Sequence, residues 1–346
     1  LLAWAACAAQ AQGVSPKTVV LGQSAPLTGP AQALGEEIRN GALAYLRTLN
    51  DTGGVHGRRI ELATLDDAGD PARALANTQR LVEQLRVFAL IAYPEASVTR
   101  EVLAVAQQGH VPFFAPLTGA EVVRLAPRGV VTVRASRAAE VEGVVEHYAQ
   151  LGLKRFALQA GGSEATEWRD ALGRALKKLK LEAPVPSDAA DAVLLAAPTR
   201  DAADLVRSFK RSGSRAQIVA LSVADAGALA KALGREGAGV ALAQVVPSPE
   251  RTALPLVAEY RAAYGREAGG KAFSARSLEA YLGAKVFAEA VRRAGPALTR
   301  EALLRALETM SPYDAGGYLL AYGRGDRHGS SRIDLLAIGR DGALLH

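Results

Sequence analysis

The sequence predicts an α/β fold built as two lobes, each a parallel sheet with helices on both faces. Three observations carry that expectation. The chain has 346 residues, too many for one small core and enough for two. Its composition is 49% hydrophobic but only 5% aromatic, which favours aliphatic helices packed on sheets over a β-sandwich. Short apolar runs alternate with amphipathic stretches, and this happens twice along the chain.

The first run opens with a buried-type strand at 19–22. A helix follows over 32–51, with Leu34, Ile38, Ala42, Tyr45 and Leu49 on one face. Gly53 and Gly54 supply the left-handed backbone that ends it. A strand at 59–65 leads into the paired acids Asp66 and Asp67, read as a strand end and a cap. Asp70-Pro71 then starts a helix through about residue 85, an acid cap with proline at the first helical position. Strands at 87–92, 111–115 and 130–134 alternate with a helix at 97–108 and a short one from Glu121. The second run has a helix from Ala139 to Leu151 and strands at 155–159, 192–196, 217–221 and 240–246. Helices at 167–179, 200–212 and 224–233 separate those strands, and Pro247 and Pro249 break the chain after the last. Helices at 254–264, 277–294 and 299–310 follow, with Thr299 as N-cap, and strands are expected at 318–322 and 333–339.

Charge excludes some functions. There are 41 basic and 35 acidic side chains, a net charge of +6. Arg58-Arg59, Lys177-Lys178 and Arg292-Arg293 lie far apart, with no long basic run and no interleaved aromatics. Solvated helix faces explain them, and nucleic acid is not an expected partner. Residues 1–16 read as a signal-peptide remnant and N-terminal tail, with a small-x-small cleavage pattern at Ala9-Gln10-Ala11. The apolar stretch is too short to span a bilayer, so the expected place is the periplasm with no membrane span. Cys7 is the one cysteine, and Trp4 stands where a lipoprotein signal carries Leu, so a lipid anchor is not expected. Cleavage after Ala11 leaves no thiol and no disulfide.

Enzyme readings fail on motifs. No G-x-G-x-x-G follows the first strand and no P-loop is present. The residues from Gly161 to Ala165 read G-G-S-E-A, which misses the G-x-S-x-G nucleophile elbow at its last position. The five histidines, His56, His110, His147, His328 and His346, have no metal-ligand spacing. The expectation is a non-enzyme with no cofactor and no metal.

Eight segments carry a resemblance: VVLGQSAPLTGP, NDTGGVHGRRIEL, DDAGDP, VFALIAY, VPFFAPLTGAEVVR, VRAS, AQVVPSP and SRIDLLAIGRDG. In this order and spacing they resemble the type I periplasmic solute-binding proteins of the Leu/Ile/Val-binding family, the receptors of ABC importers. The resemblance covers nearly the whole chain after residue 17. It implies two Rossmann-like lobes joined by three crossing segments, placed here near 134–138, 246–250 and 322–327. Lobe one would then be 17–135 plus 250–322, and lobe two 136–249 plus 323–346. It also implies a small organic ligand between the lobes, delivered to ABC permease membrane subunits, with the ATPase on another chain.

In that family two loops of lobe one hold a ligand carboxylate. They correspond to Tyr93, Glu95, Ala96 and Ser97 in one loop, and to Leu117, Thr118 and Gly119 in the other. Leu34 falls where relatives carry an aromatic contact. In lobe two, Ala165 falls at the relatives' Tyr-Gly pair and Val223 where an acid holds the ligand ammonium. Glu95 is a departure, since a carboxylate there repels an anion unless it is protonated, turned away or paired with a cation. The stretch 181–193 is short, as though lobe two were trimmed by a strand–helix unit of about twenty residues. The expected ligand is a carboxylic acid or amino-acid-like molecule, and the missing ammonium partner favours a simple acid. The alternative is a degenerate bilobed sensor or protein-interaction module that has lost ligand binding.

Overall fold

Residues 12–126 and 129–345 are described by the structure, a computed structural model. The signal-peptide reading and Cys7 lie outside the described residues. Lobe one begins with β1 (Thr18–Ala25), α1 (Gln32–Asp51), β2 (Arg59–Asp66) and α2 (Pro71–Gln79). It continues with β3 (Ala89–Ile91), α3 (Arg100–Gln108), β4 (Phe113–Phe114), α4 (Glu121–Arg124) and β5 (Val130–Val131). The five strands pair in parallel in the order β2-β1-β3-β4-β5. Short βα connections therefore gather at the carboxyl ends of the strands, where ligands bind in open α/β sheets.

Local chemistry explains the turns on that edge. Asp70 accepts the Ala72 N–H at 2.8 Å, with Pro71 first in α2. Asp66 accepts the Thr28 hydroxyl at 2.6 Å and the N–H groups of Leu27 and Ala68. These bonds, the hydroxyl first, hold its carboxyl down at about 2. Fully buried Asp67 accepts the hydroxyls of Ser24 and Ser97, each at 2.8 Å. β3 and β4 are shorter than the sequence suggests because the backbone kinks at Ala92 (φ 52°) and Ala115 (φ 46°). Positive φ at a residue with a Cβ costs energy and here turns both chains into the loops of the cleft.

Lobe two contains α5 (Arg137–Gln150), β6 (Phe156–Ala160), α6 (Ala165–Lys178), β7 (Ala192–Ala196) and α7 (Thr199–Arg211). β8 (Gln217–Ala220), α8 (Ala226–Leu233) and β9 (Ala241–Gln244) complete its parallel part. The two lobes differ in one respect. β1 lies between β2 and β3, whereas β6 pairs only with β7 and forms the sheet edge. Residues 179–191 contain no strand or helix. They cover that edge instead: Val185 N–H donates to the Phe156 carbonyl at 3.0 Å, Gln159 to Ser187 at 2.7 Å, and Arg155 to Asp191 at 2.7 Å. A bare strand edge is a template for aggregation, and these contacts close it.

The chain then returns to lobe one as α9 (Pro255–Glu267), α10 (Ala275–Ala294) and α11 (Arg300–Glu308). Tyr260, Tyr264, Leu282 and Phe287 join the core between these helices, α1 and the first sheet. A hairpin of β10 (Tyr313–Asp314) and β11 (Leu319–Leu320) precedes β12 (Asp334–Ile338) and β13 (Leu344–Leu345). β12 adds antiparallel to β9, and β13 to β12. No helix among the described residues is long and apolar enough to cross a membrane.

Three segments cross between the lobes and meet at one tyrosine. The Tyr318 hydroxyl lies 3.1 Å from the Val245 carbonyl, 2.9 Å from Ser330 Oγ and 3.4 Å from the Val133 carbonyl. Burial pushes that phenol up to about 12, so it stays a donor across the physiological range. Thr132 N–H donates to the Arg327 carbonyl and Gly329 N–H to the Thr132 carbonyl, which sets the first and third crossings side by side. The third crossing, expected near 322–327, thus runs beside the first at Arg327 and Gly329. Gly323 and Asp326 exchange backbone hydrogen bonds at 2.8 and 3.0 Å and close a turn there.

Candidate functional site

Both sheets turn their carboxyl ends toward one cleft of about 410 Å³. That volume suits a small molecule. Lobe one contributes Leu34 and Ile38 from α1, and Pro94, Glu95, Leu117 and Gly119 from the loops after β3 and β4. Lobe two contributes the loop from Gly161 to Glu164 after β6, Trp168, and Ser222 to Asp225 after β8. Arg134 comes from the first crossing, Gln244 from the end of β9, and Arg276 and Glu279 from α10.

The walls are apolar but the charges are dense. Arg137, the first residue of α5, has a side chain only 3% exposed. It pairs with Glu95 of lobe one and, in lobe two, with Glu164 at 2.5 Å and Glu167 at 2.7 Å. Its guanidinium also lies over the Trp168 ring, 5.1 Å from the centroid. Burial alone would pull Arg137 down, but the carboxylates outweigh it and hold the group above its ordinary value. Glu164 is raised, by burial first and then by the charge of Glu95, with Arg137 opposing.

A second set of bonds also joins the lobes. Arg276 donates to the Val223 carbonyl at 2.9 Å and lies 3.8 Å from Asp225. The Glu121 N–H donates to Glu167 at 2.7 Å. Arg134 donates to Ser222 Oγ at 2.9 Å, and Ser222 donates through N–H and hydroxyl to fully buried Glu140 at 2.6 and 2.7 Å.

The residues singled out from the sequence divide into two groups. Leu34, Glu95, Leu117, Gly119 and Val223 line the cleft. Gly119 is needed for more than a ligand: an added Cβ would stand 2.8 Å from Arg137 N on the crossing segment. Tyr93, Ser97, Thr118 and Ala165 are not part of the lining. Tyr93 is fully buried, bonded to Thr78 and packed edge-on against Phe113 at 4.8 Å. Ser97 gives its hydroxyl to Asp67, and Thr99, not Ser97, caps α3. Thr118 donates to Glu95 Oε1 at 2.7 Å. The hydroxyl expected to meet a ligand carboxylate therefore meets the chain's own. Ala165 is buried at the start of α6, behind Glu164. Ala96 sits in a short 3₁₀ turn between Glu95 and Ser97.

Sequence reasoning missed Arg137, Glu279, Arg276, Gln244 and Trp168, and left Asp225 unassigned. One signal was readable. Glu279 is a lone acid in the otherwise apolar start of α10, S-L-E-A-Y-L-G-A, and α10 is buried nearly all round there. Asp225 caps α8 by accepting the Ala228 N–H at 2.8 Å. Among the described residues no group of three or more His, Cys, Asp or Glu side chains is arranged to hold a metal ion.

Two lobes, three crossings and a cleft at the carboxyl ends of both sheets define a hinged receptor for a small molecule. The chain belongs to the periplasmic binding protein family, whose model matches residues 18–343. Among solved structures it is similar to a possible leucine/isoleucine/valine-binding protein from Rhodopirellula baltica. The TM-score is 0.83 at 26% identity, over 97% of this chain and 98% of that one. A substrate-binding periplasmic protein from Ralstonia solanacearum gives a TM-score of 0.82 at 29% identity, over 94% and 99% of the two chains. Among curated proteins, Leu/Ile/Val-binding protein BraC3 of Rhizobium johnstonii is 36% identical over 64 residues, 18% of this chain and 17% of the relative. An amino acid binding protein of Pseudomonas aeruginosa is 36% identical over 75 residues, 22% and 20% of the two chains. The matched stretches thus span about a fifth or less of these curated relatives. Family members are non-catalytic solute receptors.

Proposed function

We propose that the chain works outside the cytoplasmic membrane, capturing a small organic solute between its lobes and presenting the closed form to ABC permease membrane subunits. The observation that carries this reading is the interlobe cleft, walled by apolar side chains and crossed by buried polar groups. Solute binding favours whichever lobe arrangement it touches on both sides, so closure is a population shift paid for by contacts to both lobes. Lobe one is taken as 17–135 plus 250–322, with lobe two completing the chain. The competing reading, a partner-binding module without a solute, draws on the missing counterpart of β2 in lobe two.

A thermal-shift screen against amino acids, aliphatic and aromatic acids, amides and amines separates the two. A ligand at a hundred times its dissociation constant adds about 2.7 kcal/mol, a visible rise in melting temperature. At least one ligand should produce it. A cooperative melt unmoved by the whole panel would favour the partner-binding module.

A further inference from the structure

We infer that the ligand carries a protonated primary amine, seated against Glu279 and Gln244 at the floor of the cleft, and that no ligand carboxylate is required. This rests on the solute-binding reading and names the ligand class of the same cleft.

Glu279 is the first reason. Its side chain is 3% exposed and lines the cleft, yet Oε1 has no hydrogen-bond partner among the described residues. Its other oxygen stands 3.5 Å from Arg134 Nη1, too far for a strong bond. A buried carboxylate with one unmet oxygen seeks a donor, and an ammonium brings three. Gln244 adds a second unmet oxygen, Oε1, buried on the same lining. That amide oxygen can accept a hydrogen bond from an ammonium N–H.

Charge is the second reason. The lining holds three guanidinium groups, Arg134, Arg137 and Arg276, against four carboxylates, Glu95, Glu164, Asp225 and Glu279. Glu167 and Glu140 lie just behind, on Arg137 and on the Ser222 that Arg134 binds. Counted as ionised, the carboxylates exceed the guanidinium groups by one, and a monocation offsets that where an anion adds to it. The third reason is Glu95. Its carboxylate already takes the Thr118 hydroxyl and Arg137, the groups best placed to receive an anion from lobe one. The apolar walls, among them Leu34, Leu117 and Val223, suit a short alkyl body behind the ammonium.

The test compares isoamylamine with leucine, the same skeleton with a carboxylate added, and with isovalerate, which has the carboxylate alone. Isothermal titration of the native protein should give saturable binding of isoamylamine, at least tenfold tighter than leucine, and none of isovalerate. Leucine binding as tightly as the amine, or isovalerate binding better than either, overturns the amine assignment and leaves the solute-binding reading standing. Silence from all three together with a wider panel overturns both. Glu279→Gln, which keeps shape and removes charge, should weaken isoamylamine at least tenfold with the melt still cooperative. Unchanged affinity in that variant overturns the Glu279 subsite, and the three-ligand comparison needs no variant to fold.

Discussion

Replacing Arg137 with alanine should lower unfolding free energy at pH 7 by about 3 kcal/mol, toward the lower end of the range for breaking a buried ion pair. The lower end applies because Glu95 and Glu164 keep 34% and 43% of their side-chain exposure, so water screens part of the loss. The variant leaves Glu95, Glu164 and Glu167 facing one another without their shared cation. Glu164 already titrates above its ordinary value, mainly through burial, and in the variant loses Arg137, whose charge lowers it. An acid whose folded pKa exceeds its unfolded pKa binds its proton more tightly when folded, so stability rises as pH falls. The gap between the native protein and Arg137→Ala should therefore narrow between pH 7 and pH 5 in urea unfolding. A deficit that stays constant with pH, or one below about 1 kcal/mol, would mean that the three carboxylates do not depend on this arginine.

Gly41→Ala should destabilise the protein by about 1–3 kcal/mol, the usual cost of overpacking a fixed contact. Helix propensity alone argues the reverse, since alanine is better than glycine in a helix by roughly 1 kcal/mol. Gly41 lies inside α1 and is buried against α10, and an added Cβ would stand 2.2 Å from the Ser277 carbonyl oxygen. That atom is backbone, so α1 and α10 must move apart. The same two helices carry Leu34 and Ile38, and Arg276 and Glu279, onto the cleft walls. Ligand affinity should thus fall together with the midpoint of chemical unfolding. A variant more stable than the parent would show that the two helices have slack at this contact.

The helix α1 was legible almost to the residue, because a 3.6-residue apolar stripe and the Gly53-Gly54 stop act locally. Asp70-Pro71 and Thr299 marked their helix starts for the same reason, a cap being chemistry between neighbours. The stretch 181–193 read as short for a strand and a helix, and residues 179–191 hold neither. The cleft chemistry was not. Arg137 follows an N-cap serine at a helix start, where a basic side chain reads as solvated surface. Glu95 from the other lobe, Glu164, Glu167 and the Trp168 ring meet around it in the folded chain. Glu95 itself looked like an obstacle to an anion, and the sequence could not say that Thr118 and Arg137 would both turn toward it. The strands β4 and β5 came out at two residues each, because the backbone leaves the sheet early to build loops that no local propensity encodes.

The most direct test of a solute held between the lobes uses Trp168, on the cleft lining beneath Arg137. With Trp4 replaced by phenylalanine, Trp168 is the single tryptophan reporter in the chain. Titrating a ligand that raises the melting temperature should change its fluorescence saturably, with one ligand bound per chain and a midpoint that shifts in Glu279→Gln. A ligand that stabilises the protein yet leaves Trp168 fluorescence flat at saturation would place binding elsewhere and contradict the cleft as the site.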